Sequence, residues 1–166
     1  MDARKEHESA QHRTTVQRQS DRELVVTRTI DAPARIVFEA WTRPELFKQW
    51  WAPRSLGMRL VSCQMDVRVG GAYRLNFGTS MDFFGKYLEV TPPSRLVWTN
   101  DEGGEAGSVT TLALEEKGGK TLLVLRELYP SKEALDAAGT GAADAMGEQF
   151  DQLDELLDSL GSAGQV

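Results

Sequence analysis

The sequence predicts an α+β fold in which one curved antiparallel sheet packs against a long C-terminal helix. Segments rich in β-branched and aromatic residues follow one another between about residues 58 and 128, with turn residues between them. Short connections of this kind join antiparallel neighbours. After residue 141, apolar residues recur at helical spacing with Asp and Glu between them, which predicts an amphipathic helix to about residue 160.

Residues near the start of the chain predict a strand followed by two short helices. The segment "ELVVTRTI" at 23–30 is rich in β-branched residues, as strands are. Asp31 and Pro33 are typical of a helix start, and Thr42 and Pro44 repeat the same pattern a few residues later. We therefore expect two short helices directly after the first strand.

The later strands are placed by the turns between them. Pairs of Gly or Pro separate the candidate segments, as in "VTPPSR" and "EKGGKT". With the first strand these segments make a sheet of about six to seven strands. They cover about residues 58–67, 71–77, 82–91, 94–100, 108–116 and 120–128.

The Gly118-Gly119 pair also predicts the register of one hairpin. A two-residue loop at this point is the preferred hairpin connection for such a dipeptide. It would place Leu112 beside Leu125. It would also place Thr110 beside Glu127, so this face of the hairpin is apolar with a polar end.

The Pro92-Pro93 pair predicts a second register in the same way. A turn centred on it would place Tyr87 beside Trp98 and Glu89 beside Leu96. One face of the sheet would then carry large aromatic side chains and a few carboxylates. The long helix is available to cover that face.

Composition excludes several classes of partner. A net charge of -6 argues against nucleic acid and anionic lipid, which both bind basic surfaces. No apolar run approaches the ~20 residues that span a bilayer, and the N-terminus lacks the apolar segment of a signal peptide. We therefore expect a cytoplasmic protein without membrane insertion.

The first 22 residues have too few apolar side chains to form a core. Only Met1, Ala3, Ala10 and Val16 are apolar among many charges and glutamines. Such a composition is typical of disordered segments. We expect a disordered leader at 1–22, a folded domain at 23–161 and a flexible tail at 162–166.

The histidines and the cysteine limit the chemistry of the folded domain. His7 and His12 both lie in the expected leader, and Cys63 is the only cysteine. A domain without histidine excludes a Ser/His/Asp triad, a Cys/His pair and the usual zinc or iron sites. We expect no metal and no cofactor. Cys63 is expected to be a small buried apolar side chain, because no histidine is present to activate it.

Four stretches resemble one known family. "TIDAPARIVFEAWTRPELFKQWWAP", "GGAYRLNF", "GKYLEVTPPSRLVWT" and "MGEQFDQLDELL" follow in the order and spacing of bacterial single-domain proteins of that family. It is the family similar to the C-terminal domain of the activator of the heat-shock chaperone ATPase, within the START-like or SRPBCC superfamily. The resemblance runs from about residue 23 to residue 160.

The resemblance implies a helix-grip fold, in which a curved antiparallel sheet wraps around a long C-terminal helix and two short helices close one end. Such proteins usually leave a cavity between sheet and helix for an apolar or amphipathic ligand. Chaperone activators of the family also carry a separate N-terminal domain that contacts the chaperone. We do not expect the short leader to replace that domain.

The adjacent Trp50 and Trp51 allow two interpretations. Both rings can belong to the core and its rim, since each aromatic side chain buries ~150–250 Å². One indole can instead line a ligand entrance and offer its N–H to a polar group of the ligand. The two interpretations are compatible if each ring takes one role.

Candidate residues for the cavity lie on the sheet face and on the helix that covers it. Glu127 at the polar end can bind a ligand donor, or can be a strand-end charge that reaches water. Glu89 and Asp82 also flank aromatic residues, but nothing in the sequence determines their separation. The candidates are Trp50, Trp51, Tyr73, Phe83, Tyr87, Trp98, Thr110, Leu112, Leu125, Glu127, Met146 and Phe150.

Three classes of function are compatible with these observations. The first is a protein, possible homodimer included, that binds a small apolar or amphipathic molecule in the cavity. The second is an enzyme of the cyclase or dehydratase type, in which a carboxylate or tyrosine moves a proton. The third is a protein–protein module such as a chaperone regulator. Binding is favoured, because aromatic side chains dominate the face and the domain lacks a catalytic histidine.

Overall fold

The computed structural model of the protein describes residues 14–57, 60–78, 82–101 and 107–164. Eight strands form one curved antiparallel sheet that does not close into a barrel. The order across the sheet is β1-β2-β8-β7-β6-β5-β4-β3. The strands are β1 (Thr15–Arg18), β2 (Glu23–Ile30), β3 (Ser62–Met65), β4 (Ala72–Asn76), β5 (Asp82–Thr91), β6 (Arg95–Thr99), β7 (Val109–Lys117) and β8 (Lys120–Leu128).

Two short helices follow β2, as the sequence predicts. They are α1 (Ala34–Thr42) and α2 (Pro44–Phe47), and a 3₁₀ turn follows at Arg54–Leu56. Pro33 lies at the N-cap of α1, and Pro44 is the first residue of α2. Proline suits these positions because the first turn of a helix leaves its N–H groups without intrahelical partners. One face of α1 is buried, with Val37, Phe38 and Trp41 at helical spacing.

The sheet has one strand more than predicted, and the expected leader is wrong at its C-terminal part. β1 lies within residues 1–22 and pairs antiparallel with β2, from Thr15 beside Thr27 to Arg18 beside Leu24. Four residues with a single apolar side chain carry no strand pattern of their own. The strand forms because the edge of β2 offers hydrogen-bonding partners. Residues 1–13 of the expected leader lie outside the described residues.

The C-terminal helix α3 (Lys132–Gly164) is longer at both ends than predicted. It begins before Gly139 and Gly141, whereas the sequence predicts a helix only after residue 141. The hydroxyl of Ser131 accepts a hydrogen bond from the backbone N–H of Ala134 at 3.1 Å, which caps the first turn. Leu135 in that turn is buried. The expected tail at 162–166 begins within the helix, and residues 165–166 lie outside the described residues.

The Gly118-Gly119 hairpin has the predicted register. Leu112 pairs with Leu125, and Thr110 pairs with Glu127. Both glycines have positive φ, at 60° and 81°, a conformation that two-residue hairpin loops require and that side chains disfavour.

The hairpin at Pro92-Pro93 follows the prediction only in part. Tyr87 pairs with Trp98 as expected, but Glu89 pairs with Val97 and not with Leu96. The turn includes Ser94, whose N–H binds the carbonyl of Thr91 at 2.9 Å. An irregularity between Tyr87 and Glu89 then restores the pairing further along the strands.

The core lies between the concave face of the sheet and the helices. Helix α3 contributes Phe150, Leu153 and Leu157, all buried, and the sheet contributes side chains such as Val26 and Leu123. No helix within the described ranges is long and apolar enough to cross a membrane. The core therefore has the arrangement of a helix held in a curved sheet.

One buried arginine joins the sheet to helix α3. Arg28 on β2 is only 5% exposed and contacts Asp154 at 2.6 Å and Asp151 at 2.8 Å. Burial raises the pKa of the Asp154 carboxyl, and the arginine opposes that shift. The ion pair therefore holds the middle of the helix against β2.

Candidate functional site

A cavity of about 490 Å³ lies between the concave face of the sheet and the segments that cover it. Strands β3 to β8 contribute most of its wall, α1 and α2 contribute Trp41 and Phe47, and α3 contributes Met146 and Gln149. Most lining side chains are aromatic or aliphatic. Polar side chains are few, which is the usual composition of a site for a small molecule.

Most of the residues that the sequence analysis selected lie in the wall of this cavity. They come from β4 to β8, from helix α3 and from the segment after α2. The residues are Trp51, Tyr73, Phe83, Tyr87, Trp98, Thr110, Leu125, Glu127 and Met146.

Trp50, Leu112 and Phe150 are predicted to line the cavity, but the structure places them elsewhere. All three have no exposed surface and belong to the hydrophobic core. The indole N–H of Trp50 donates to the carbonyl of Ala40 at 3.0 Å, which directs the ring inward. The ring of Phe150 lies 6.2 Å from that of Trp41. These three side chains therefore pack between the helices and the sheet as part of the core.

Trp50 and Trp51 take one role each. Trp50 is core, whereas Trp51 lines the cavity and stacks on Phe47 with ring centroids 4.8 Å apart. Trp51 is only partly buried. The two interpretations of the tryptophan pair thus hold together, and the second ring is part of the cavity wall.

Side chains of helix α3 hold the segment that carries Trp51. The amide of Gln152 donates to the carbonyls of Trp50 at 2.8 Å and Ala52 at 2.9 Å. Its oxygen accepts the backbone N–H of Arg54 at 2.9 Å. Gln149, one turn earlier, donates to the carbonyl of Trp51. The segment therefore depends on buried amides of the helix for its position.

Four cavity residues form one row across the sheet. Tyr87 on β5 pairs with Trp98 on β6, Trp98 pairs with Thr110 on β7, and Thr110 pairs with Glu127 on β8. The row therefore runs from two aromatic rings to a hydroxyl and then to a carboxylate. The sequence predicts both outer pairs, and the pairing of β6 with β7 joins them.

A hydrogen-bonded group of polar side chains lies beside this row. Asn100 donates its amide to the hydroxyl oxygens of Thr110 at 2.9 Å and Ser108 at 3.0 Å. Tyr73 donates its hydroxyl to the carbonyl of Thr99 at 2.7 Å and to the side-chain oxygen of Asn100 at 3.1 Å. These bonds give the polar end of the cavity a defined arrangement.

Gly85 allows the ring of Tyr73 to approach the sheet. A Cβ at this position would lie 1.9 Å from the carbonyl oxygen of Thr99 and 2.9 Å from Cε2 of Tyr73. Both distances are shorter than van der Waals contact. A side chain at residue 85 would therefore displace the tyrosine that supports Asn100.

Glu127 is accompanied by Tyr129, which the sequence analysis did not select. Both side chains line the cavity, and the charge of the Glu127 carboxylate acts on the Tyr129 phenol. Burial, together with this charge, raises the pKa of Tyr129 far above its usual range. Burial is also the main cause that raises the pKa of Tyr87. Both phenols therefore keep their protons at neutral pH.

Other polar residues of the wall could have been found by continuing the alternation of each strand. Asn100 lies two residues after Trp98, Ser108 two before Thr110, and Tyr129 two after Glu127. Side chains two apart in a strand share a face. The wall therefore extends one residue beyond the ends of β6 and β8 and one residue before the start of β7.

Glu89 does not line the cavity. Glu89 is exposed and pairs with Arg95 at 3.1 Å. The placement of the Asp82 side chain lies outside the described part of the chain. Among the described residues, no three His, Cys, Asp or Glu side chains are grouped as ligands of a metal ion would be.

The family described as "Activator of Hsp90 ATPase homolog 1-like protein" matches residues 31–158. The chain belongs to this family. Its fold is accordingly the helix-grip fold of the START-like or SRPBCC superfamily, as the sequence predicts. No curated protein matches the chain in sequence.

Solved structures of other proteins have the same fold as this member of the Activator of Hsp90 ATPase homolog 1-like family. A Rhodobacter sphaeroides protein is 26% identical, with a TM-score of 0.80 over 89% of this chain and 99% of that one. CalU16 from Micromonospora echinospora is also 26% identical, with a TM-score of 0.62 over 86% and 82% of the two chains. A Nitrosomonas europaea protein, 22% identical, has a TM-score of 0.77 over 87% and 99%.

Proposed function

We propose that the protein binds a small, largely apolar ligand in the cavity between the sheet and helix α3. The cavity of about 490 Å³ is the observation that carries this proposal. Its volume lies within the range of roughly 300–1,000 Å³ that is typical of small-molecule sites. Proteins with this fold commonly bind hydrophobic ligands, which further supports the proposal.

The wall is better suited to binding than to catalysis. An enzyme with this site would use Glu127 and Tyr129 to move a proton. The raised pKa of Tyr129 keeps its phenol protonated, so it is a poor base at neutral pH. The two histidines of the chain, His7 and His12, lie outside the described residues. The rings of Trp51, Trp98 and other aromatic side chains offer surface for contact.

Native mass spectrometry of the freshly purified protein tests whether it carries a ligand. We expect a mass excess of one small molecule per chain that disappears on denaturation. A titration with N-phenyl-1-naphthylamine, a neutral probe that fluoresces in apolar sites, tests the empty cavity. We expect saturable binding of one probe per chain.

A matched pair of substitutions on β8 tests whether the probe binds in the cavity. Leu125 lines the cavity, whereas Leu122 lies on the opposite face of the same strand and is 37% exposed. Leu125→Trp should weaken probe binding at least tenfold without a large loss of stability, because the added ring enters open space. Leu122→Trp should leave binding unchanged. If the site were packed core, Leu125→Trp would cost typically about 1–3 kcal/mol, and the wild-type protein would not bind the probe.

A further inference from the structure

We infer that the ligand of this cavity is an amphipathic amine, whose protonated nitrogen pairs with Glu127 while its apolar body lies among the aromatic rings. The inference rests on the proposed function, because it requires that the cavity bind a ligand. It adds the chemical class of that ligand. Three features of the cavity wall support it.

The first feature is the charge of the wall. Among the described residues that line the cavity, Glu127 is the only Asp or Glu, and there is no Lys, Arg or His. A ligand carboxylate would therefore meet a negative charge in the wall. A ligand ammonium group would meet an opposite charge in a partly buried site, where such a pair is screened less than in water.

The second feature is the row Tyr87, Trp98, Thr110 and Glu127. Neighbouring strands lie about 4.8 Å apart, so the strand of Trp98 is roughly 10 Å from the strand of Glu127. Thr110 lies between them. A cation bound to the carboxylate on its Thr110 side would lie within reach of the Trp98 ring. Aromatic faces attract cations within about 6 Å, and tryptophan does so best.

The third feature is the support of the carboxylate. Tyr129 lines the cavity two residues after Glu127, and burial together with the Glu127 charge raises the pKa of the phenol so that it keeps its proton. A protonated phenol beside a carboxylate favours the charged form of that carboxylate. Thr110, the neighbour of Glu127, is only 2% exposed and is held by the amide of Asn100 at 2.9 Å. The side chains next to the Glu127 carboxylate therefore have a defined arrangement.

Three probes of the same ring and similar length separate charge from apolar contact. Tryptamine is cationic at neutral pH, 3-ethylindole is neutral and indole-3-propionate is anionic. Their dissociation constants can be measured by isothermal titration calorimetry with the full chain. We expect tryptamine to bind at least tenfold more tightly than 3-ethylindole, because charge-assisted hydrogen bonds are stronger than neutral contacts. We expect indole-3-propionate to bind most weakly.

Glu127→Gln and Glu115→Gln make a matched pair for this experiment. Each removes one negative charge, but Glu115 has a side chain that is 63% exposed and does not line the cavity. Glu127→Gln should abolish the preference for tryptamine and leave 3-ethylindole binding within about twofold. Binding of 3-ethylindole also shows that the variant is folded. Glu115→Gln should retain the preference.

The outcomes distinguish this inference from the proposed function. Equal or tighter binding of 3-ethylindole or indole-3-propionate by the wild type would overturn the amine assignment, as would an unchanged preference in Glu127→Gln. In either case, saturable binding of N-phenyl-1-naphthylamine would still support an apolar cavity. Failure of that neutral probe and of all the indoles to bind would overturn both.

Discussion

The substitution Gln152→Leu tests whether helix α3 holds the wall segment that carries Trp51. Gln152 is 4% exposed, and its amide makes hydrogen bonds to backbone atoms of Trp50, Ala52 and Arg54 at 2.8 to 2.9 Å. Leucine has similar size but makes none of them. The substitution therefore removes the bonds while it keeps much of the packing.

The expected loss follows from these contacts. A buried hydrogen bond contributes about 1 kcal/mol net, and a buried partner left without one costs more. Three such bonds give an expected loss of about 3 kcal/mol in the free energy of unfolding. For a chain of this size each kcal/mol lowers the melting temperature by roughly 2–4 °C, so we expect a fall of about 6–12 °C.

Urea denaturation and thermal unfolding measure this loss, with Glu155→Gln as the control. Glu155 joins the same helix to the same segment through Arg54 at 2.9 Å, but both side chains are about two-thirds exposed. Exposed ion pairs contribute little, so the control should unfold almost as the wild type does. Because Trp51 and Pro53 line the cavity, Gln152→Leu should also weaken binding of N-phenyl-1-naphthylamine.

The reasoning is refuted if Gln152→Leu and Glu155→Gln unfold at the same urea concentration. That result would mean that water replaces the lost amide without cost. A stability loss without a change in probe binding would refute only the link between the segment and the cavity.

Two further predictions concern the sheet. Gly85→Ala should lower stability by about 1–3 kcal/mol in urea denaturation, because its Cβ meets the Thr99 carbonyl. In contrast, Gly147→Ala, with open space at its Cβ, should stabilise helix α3 by up to about 1 kcal/mol; equal effects would contradict the packing at residue 85. Burial raises the pKa of Cys63 to about 11. The rate of its alkylation by iodoacetamide should therefore keep rising with pH in the folded protein. In the unfolded chain the rate should level off above the ordinary thiol pKa of about 8.5. A folded protein that levels off at the same pH as the unfolded chain would show that the thiol is not desolvated.

Local pattern was sufficient for the Gly118-Gly119 hairpin and for the pairing of two residues at the polar end of the cavity. Gly118-Gly119 determines a two-residue loop, and the pairing of Thr110 with Glu127 follows because side chains alternate along each strand. The turn at Pro92-Pro93 is one residue longer than the sequence predicts, since Ser94 belongs to it. The pairing of Tyr87 with Trp98 was still correct, because the irregularity further along β5 compensates for the longer turn.

Elements with weak local signals were decided by tertiary contacts. β1 has one apolar residue in four and exists through its pairing with β2. Helix α3 passes through Gly139 and Gly141, although each glycine costs about 1 kcal/mol relative to alanine in a helix. Its start is favoured by the Ser131 cap and by burial of Leu135.

The sequence by itself determined the family, the helix-grip fold and the face of the sheet on which the cavity lies. Four stretches of the sequence resemble the family and imply its fold, and alternation and turn residues, which are local properties of the chain, place the aromatic face of the sheet. Only the tertiary structure decided which side chains on that face line the cavity. Leu112 and Leu125 pair with each other on one face, yet only Leu125 lines the cavity. The difference depends on how closely the covering helices approach each point of the sheet. Local sequence patterns such as alternation do not determine that distance.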